Sequence, residues 1–383
     1  MLAVLVESIT TLLALCGMGF YFAALWSARS FVHRKRRKDD AFHPPVSILK
    51  PLKGFDPDMY AAFASHCRQQ YSGEYEILFG VNSLEDPAVA AVERLRIEFP
   101  QTQIRLMVTP EILGPNGKVS NLAQMLSQAR HPYIVINDSD IRVSPYYLSR
   151  VMAPFQDPKV GLVTALYRGR AHRTVWSKIE SLGIATDFAA GVLTARKLEG
   201  GVRFGLGSTL ALSRAALDAI GGLLPLVEYL ADDYEVGARI AAKMFQVELC
   251  DEVVETAVPA YSFRQFWQHQ LRWARGMRDS RKQGYAGVVF TFGLPWALLN
   301  VLASGADLFS IALLSMVLAA RVLLALAVGV GVLRDRAVLR DLWLLPLRDL
   351  LALCVWVWSY AGDTVTWRGQ QFHLNQGKLI ARP

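Results

Sequence analysis

Three groups of residues in this sequence have the types and spacing that chemistry needs. The run Ile134-Val135-Ile136-Asn137-Asp138-Ser139-Asp140 ends an apolar strand in two carboxylates one residue apart. At the carboxyl end of a strand both can approach a hard divalent cation, magnesium or manganese, and a diphosphate beside it. Taken alone, Asp-Ser-Asp more often makes only an Asx-turn, so its neighbours must carry the reading. A second group, Leu230-Ala231-Asp232-Asp233-Tyr234-Glu235, has Glu228 just upstream and follows Gly221-Gly222. A carboxylate held against a substrate hydroxyl takes its proton during attack, which is general-base work; the same acids would also suit the positive end of a helix. The third group is His269-Gln270-Leu271-Arg272-Trp273. Arginine offers a fixed fork of donors to phosphate oxygens and tryptophan a flat apolar face. The pair suits a leaving diphosphate at a membrane surface, or simply a basic interfacial helix.

Absent motifs narrow the field. The chain has no GxxxxGK(S/T) loop, no GxGxxG after its first strand and no GxSxG turn. Triphosphate hydrolysis, dinucleotide redox chemistry and esterase chemistry therefore lose their usual signatures. His66, His131, His172 and His373 are scattered, as solvated or locally bonded histidines would be. Four cysteines without a CxxC pair suggest neither a zinc cluster nor a disulfide framework, and fit a reducing compartment.

The elements that must position these groups follow from composition and periodicity. Of 383 residues 52% are hydrophobic and 19% charged, against roughly 25% charged in soluble domains, which points to membrane attachment. From Ser8 to Trp26 there is no charge, and the run is long enough to cross a hydrocarbon core. It is followed by His33-Arg34-Lys35-Arg36-Arg37-Lys38, not by a cleavage site, so it reads as an uncleaved anchor over residues 1–32 with the next domain facing the cytoplasm. Its place beside a span also argues against nucleic acid as the partner of this basic cluster.

Strand-like runs at Val46–Leu49, Glu76–Val81, Ile104–Val108, Tyr133–Asn137, Gly161–Leu166 and Thr209–Ser213 alternate with helical patterns at Met59–Gln70, Pro87–Glu98 and Val119–Ala129. The pattern predicts an α/β domain with a largely parallel sheet over residues 40–262. Residues 263–285 read as an amphipathic interfacial helix, because aromatic residues interleave with Arg272, Arg275, Arg278 and Arg281. Three apolar stretches, Ala286–Ala303, Leu308–Leu333 and Leu342–Ala361, occupy residues 286–361, and 362–383 remains as a tail. Arg321, Arg348 and Asp349 are costly at depth. Either the third stretch is partly interfacial, or these charges line a protein or aqueous interior. Arg334, Arg336 and Arg340 favour a cytoplasmic loop.

Taken in order, the motifs resemble those of membrane-bound GT-A glycosyltransferases, and closely the ceramide glucosyltransferase family with its hopanoid-associated bacterial members. The matching text is Val46-Ser47-Ile48-Leu49-Lys50-Pro51-Leu52-Lys53-Gly54, Glu85-Asp86-Pro87-Ala88, Gly117-Lys118-Val119-Ser120-Asn121-Leu122, Asp138-Ser139-Asp140-Ile141-Arg142-Val143, Ala231-Asp232-Asp233-Tyr234 and Arg272-Trp273. The resemblance covers about residues 40–285 and the flanking spans. It implies a GT-A mixed, mostly parallel sheet with helices on both faces. It also implies inverting transfer from a UDP-sugar to a lipid hydroxyl, such as that of ceramide or a hopanoid polyol, at the cytoplasmic face of a bacterial inner membrane.

Carried over by position, Lys50, Pro51, Glu85 and Asp86 would border the uridine, and Lys118 the nucleotide or diphosphate. Asp138 and Asp140 would hold the nucleotide and Mg2+ or Mn2+. Asp233 would be the base, and Arg272 and Trp273 would close on diphosphate and sugar. The family's first acid often falls where this chain has Asn82 and Ser83, and its last motif usually begins with Gln or Arg where this chain has His269, which would donate to phosphate. Gly205-Leu206-Gly207-Ser208-Thr209 would admit the acceptor or form a tight turn, and Thr186-Asp187-Phe188-Ala189-Ala190-Gly191 would guide a lipid tail. Two other readings compete: a processive polysaccharide synthase, for which the spans are few, and a nonenzymatic nucleotide-sensing membrane scaffold, which would need no base.

Overall fold

A computed structural model describes residues 2–34, 42–56, 58–367 and 370–381, so Lys35, Arg36, Arg37 and Lys38 of the basic cluster lie outside the described residues. Helix α1 (Leu2–Val32) precedes β1 (Val46–Pro51), α2 (Met59–Cys67), β2 (Tyr75–Val81), α3 (Ala88–Glu98), β3 (Gln103–Val108), α4 (Gly117–Leu126) and β4 (Tyr133–Ile136). Next come α5 (Tyr147–Met152), β5 (Val160–Ala171) and α6 (Val175–Gly183), which passes through a π-helical turn at Ile184–Phe188 into α7 (Ala189–Leu198). The α/β part closes with β6 (Leu210–Ser213), α8 (Arg214–Ala219), α9 (Asp232–Ala242) and β7 (Gln246–Val258). Then follow α10 (Phe263–Ser280), α11 (Lys282–Ala286), α12 (Gly293–Ala303), α13 (Leu308–Ala325), α14 (Ala337–Asp341) and α15 (Leu345–Ser359). The chain ends in β8 (Thr364–Trp367), β9 (Gln370–Asn375) and β10 (Lys378–Ala381).

Seven strands form one sheet in the order β3-β2-β1-β4-β6-β5-β7, in which only β6 runs antiparallel to its neighbours. Strand β1 is buried along its whole length because both faces are covered. Ile48, Ile77 and Val135 pack toward α2, α3 and α5, while the alternate residues Leu49, Leu78, Ile134 and Ile136 pack toward α4. The second of these cores continues without a break through α6 and α7 into α1, α12 and α13. The mostly parallel, two-faced sheet expected from sequence is therefore present.

Two strand expectations need correction. Strand β5 runs to Ala171, well past Leu166. Strand β7 pairs with it over most of its length and was not legible, because Glu248, Asp251, Glu252 and Glu255 interrupt its apolar pattern. Such interruption is tolerated at a sheet edge. The expected tail is also corrected: β8, β9 and β10 make an antiparallel sheet of three strands. Its second hairpin turns at Gln376 and Gly377, both with positive φ (51° and 78°), a primed turn that Gln-Gly signals less clearly than Asn-Gly.

Among the described residues, Ala3–Val32, Leu308–Val332 and Ala337–Ser359 are long and apolar enough to cross a membrane. Lys282–Thr291 and Gly293–Ala303 form a pair bent by 53° that would make a fourth span. Helices α1 and α12 touch at Gly17 and Gly293, where a Cβ on Gly17 would stand 2.3 Å from Gly293 Cα. At the bend, Tyr21 Oη accepts the Leu294 N–H at 3.3 Å. Asn300 Nδ2 donates to Glu7 O, Thr10 Oγ1 and Thr11 Oγ1 at 3.0, 3.0 and 2.9 Å.

The puzzling intramembrane charges meet one another. Arg321 binds Asp349 at 2.8 Å and Asp187 at 2.5 Å, and Arg348 reaches Asp187 at 3.0 Å. On the side of the α/β domain, Arg168 donates to the Leu333 and Arg334 carbonyls at 3.1 and 2.9 Å, and Arg34 to the Leu249 carbonyl at 2.8 Å. The end of α1 and the α13–α14 loop thus lie on one side of the apolar helices, with the sheet.

Candidate active site

Strands β1 and β4 end side by side where the strand order reverses, the usual crevice for ligands of open α/β sheets. Asp138 follows β4, and its carboxylate is 41% exposed. Beneath it, the fully buried Lys50 donates to the Asp138 carbonyl at 3.0 Å, and burial pushes its ammonium down to about 7. Lys50, expected beside a uridine, therefore braces the turn from within, and its neighbour Pro51, expected there too, is buried at the end of β1 opposite Gly80. Asn137 ties the same turn to its surroundings, donating to Ser208 O at 2.7 Å and Tyr147 Oη at 2.9 Å and meeting the buried His66 at 3.2 Å.

Lys118 sits in the first turn of α4, whose N-cap Asn116 accepts the Lys118 and Val119 N–H groups at 3.1 Å. Its ammonium lies 2.7 Å from Asp138 Oδ1 and 3.5 Å from Asp232 Oδ2. Burial opposes this charge, but Asp138 and Asp232 outweigh it and raise the ammonium above its ordinary value.

Asp233 occupies the first turn of α9. Its Oδ2 accepts the Gly207 N–H at 2.7 Å and its Oδ1 the Tyr234 N–H at 2.8 Å. Burial, then the neighbouring Asp232, push its carboxyl up to about 6, against the pull of Lys118 and these two N–H groups. That is close to where a general base works best at neutral pH. The expected Gly205–Thr209 turn is present, closed by Thr209 N–H on Leu206 O at 3.0 Å. A Cβ on Gly207 would stand 3.2 Å from Asp233 Oδ2 and 3.7 Å from Asp138 Oδ2, so the two carboxylates flank one bare backbone position.

Helix α10 forms the roof and begins with a capping box between Ser262 and Gln265. Arg272 and Trp273 are half-buried on it, and the Trp273 ring lies 4.8 Å from that of His269. Nδ1 of His269 is held by the buried Glu180 at 3.1 Å, and Tyr261 packs on its other side at 5.5 Å. The helix does not turn all its arginines to a lipid surface. Arg275 binds the Thr364 carbonyl and Arg278 the Ser359 and Gly362 carbonyls, so these two hold the C-terminal segment.

The remaining expected residues are set apart. Asp86 accepts the Gly54 N–H at 3.0 Å and the Ala88 N–H at 2.9 Å, orienting a loop and starting α3, while Glu85 is exposed. Asp140 turns toward β7, where its Oδ2 accepts from Thr256 Oγ1 at 2.5 Å and Ala257 N at 3.1 Å. Burial and the charge of Asp138 raise its carboxyl. Among the described residues no three His, Cys, Asp or Glu side chains gather as a ready metal cage. The hard oxygens of Asp138 and Asp140 fit a cation whose other ligands are phosphate oxygens and water, the common pattern for Mg2+. Sequence reasoning missed Tyr167, whose hydroxyl is raised by burial and by the charges of Asp233, Glu180, Asp138 and Asp140, and whose ring lies 5.1 Å from that of Phe188, tilted by 47°. It also missed Glu180. Neither sits in a pattern that sequence periodicity would flag.

Residues 9–380 match glycosyl transferase family 21. Ceramide glucosyltransferase 3 of Caenorhabditis elegans is 27% identical over 98% of this chain and 84% of its own length. Ceramide glucosyltransferase 1 of the same organism is 30% identical over 53% of this chain and 43% of its own length. Among solved structures, a mannosyltransferase from Pyrobaculum calidifontis in complex with GDP-Man and Mn2+ superposes with a TM-score of 0.56 at 18% identity, covering 92% of this chain and 99% of that one. At that identity the likeness is one of fold.

Proposed function

The chain belongs to glycosyl transferase family 21, and from that premise we propose that it transfers a hexose or N-acetylhexosamine, with inversion, from a UDP-sugar to the hydroxyl of a membrane lipid, ceramide or a hopanoid polyol. The observation that carries the proposal is the pairing of Asp233 and Asp138 across Gly207, with Lys118 bridging Asp138 and Asp232. One carboxylate is buried with a raised pKa, as a base requires, and the other is open to a ligand. Relatives named ceramide glucosyltransferases support the lipid acceptor.

In this reading Asp233 takes the proton of the acceptor hydroxyl as its oxygen attacks the anomeric carbon. The bond from that carbon to UDP breaks on the opposite face, and a single displacement inverts the centre. Lys118 and Arg272 offset charge on the departing diphosphate, while Trp273 offers the sugar a flat apolar wall. Asp138 and Asp140 would hold Mg2+ or Mn2+, which when bound neutralises diphosphate charge. With Nδ1 of His269 on Glu180, its Nε2 is the nitrogen left to meet phosphate. Glu85 and Asp86 would lie toward the uridine. The protein is integral to the bacterial inner membrane, with the sheet in the cytoplasm; the Leu333–Arg334 loop, which rests on Arg168 and leads into Arg336 and Arg340, supports that side.

Detergent-purified protein with manganese, offered UDP-glucose, UDP-galactose, UDP-N-acetylglucosamine or UDP-glucuronate with ceramide, hopanoid polyol or diacylglycerol, should release UDP with one pair. Mass analysis should then find the matching glycolipid. Tight UDP binding without turnover of any pair would turn the reading toward a nucleotide-sensing role.

A further inference from the structure

The C-terminal sheet is fastened to both halves of the candidate active site. The free edge of β10 pairs with the segment just before Asp232 and Asp233: Leu379 N–H donates to Glu228 O at 2.7 Å and Leu230 N–H to Gly377 O at 3.0 Å. Lys378 pairs with Glu228 at 2.6 Å. Leu230, three residues before Asp233, fills the small core made by Val365, Phe372, Leu374 and Leu379. The same leucine packs on α10, where a Cβ on Gly276 would stand 3.4 Å from its Cδ2. From α10 itself, Asp279 accepts the Gly377 N–H and Arg275 holds the Thr364 carbonyl. On the far side of the segment, Asn116, the cap of the Lys118 helix, donates to Tyr229 O at 2.7 Å.

We infer that β8–β10 are a strap that sets the base loop against the roof helix, with Leu230, Gly377 and Asp279 as positioning residues for Asp233 and for Arg272-Trp273. This rests on the transfer reading above. The physical case is that three short strands contributing only four residues, Val365, Phe372, Leu374 and Leu379, to a core are marginal alone. They gain a fourth strand and a core-filling leucine only by docking on residues 228–230, as a peptide gains by adding to a sheet edge. Docking on α10 at the same time ties the loop to the helix through Asp279 and Arg275. Lys50 and the Asp138 turn are held on the sheet, and the strapped segment meets the Lys118 helix through Asn116 and Tyr229, so loosening the strap should cost transfer more than nucleotide binding.

The test uses the full-length protein with Gly377→Val, which strains a residue at φ +78°, and Asp279→Ala, which removes a bond without disturbing the turn. The expected result is a 10- to 100-fold loss of kcat for sugar transfer, as for a misplaced catalytic group, with donor KM and UDP affinity changed far less than kcat and the unfolding temperature of Asp279→Ala unchanged. Hydrogen exchange should rise in residues 228–236 and 269–279 but not in β1–β4, and this readout needs no turnover. Faster exchange in both segments from a protein that turns over no acceptor would uphold the strap and sink the transfer reading. Unchanged kcat and exchange, or losses of UDP affinity and thermal stability in step with kcat, would overturn the strap.

Discussion

Two clusters of acids and bases in this molecule have nearly the same composition and opposite character. At the carboxyl ends of the central strands, Lys118 faces Asp138 and Asp232, with Asp233 alongside; in the helical region, Arg321 and Arg348 face Asp349 and Asp187. Asp138 keeps 41% of its side chain in solvent, whereas Arg321 keeps 1%. The first cluster leaves one carboxylate open and lifts another to about 6. The second sets its arginines among the helices and joins α13, α15 and the π-helical turn before α7, with Asp187 34% exposed at its rim. Ion pairing alone therefore does not mark a reaction centre. Nor does an unsaturated group, since Arg321 Nη1 and Arg348 Nε lack hydrogen-bond partners among the described residues; the mark is an open carboxylate beside a buried one at the carboxyl ends of the strands, where a ligand can reach.

The sharpest way to separate the two clusters is to remove the charge at the centre of each. Asp233→Asn should lower transfer by about 10²- to 10⁴-fold, the usual value of a general base, while calorimetry finds UDP affinity intact. Strong loss of UDP affinity would make Asp233 a nucleotide ligand instead. Arg321→Met should cost about 3–5 kcal/mol of stability, since it takes from the buried Asp349 its bonded counter-charge and leaves Asp187 with Arg348 alone, and should show as a large fall in unfolding temperature in detergent. Adding Asp349→Leu should recover part of that loss; no recovery would mean that the pair is not what the helices depend on.

Smaller effects sharpen the comparison within the open cluster. Lys118→Met should weaken UDP binding by about 10- to 100-fold, the range of a charge-assisted hydrogen bond. It should also move the acid limb of kcat/KM upward, because Lys118 is what holds the Asp233 carboxyl down. In the unaltered protein that limb should lie near pH 6, with activity falling tenfold per unit below it, since only the deprotonated carboxylate accepts a proton. A limb near 4 would mean that Asp233 is better solvated than its burial indicates. His269→Gln should change kcat/KM by no more than about fivefold, as the glutamine amide can donate where the imidazole does.

What could be read from the sequence was whatever lies close together along the chain. The sheet strands, the Asp138 turn, the Asp233 helix start and the Lys118 helix start each carry their signal within about ten residues. Roles fixed by distant partners were not legible. Lys50 looked like a ligand group and is a buried brace for a carbonyl 88 residues away. Arg275 and Arg278 looked like headgroup contacts and instead hold backbone carbonyls at Ser359, Gly362 and Thr364. The charges in the apolar stretches left two readings open, because Asp187 lies 134 residues before Arg321 and in a different kind of helix.

The close crossing of α1 and α12 has a consequence for how the molecule is made. Asn300 reaches back 289 to 293 residues to its three acceptors on α1. At ordinary rates of synthesis roughly 15–60 s separate the emergence of the two helices. Helix α1 is thus made well before its partner α12, and until α12 arrives it lacks the Asn300 bonds to Glu7, Thr10 and Thr11. The α/β domain is complete in that interval. Closure of the helical bundle around α1 is a late step laid over a domain already built, and a chaperone or a stalled insertion would act on that step.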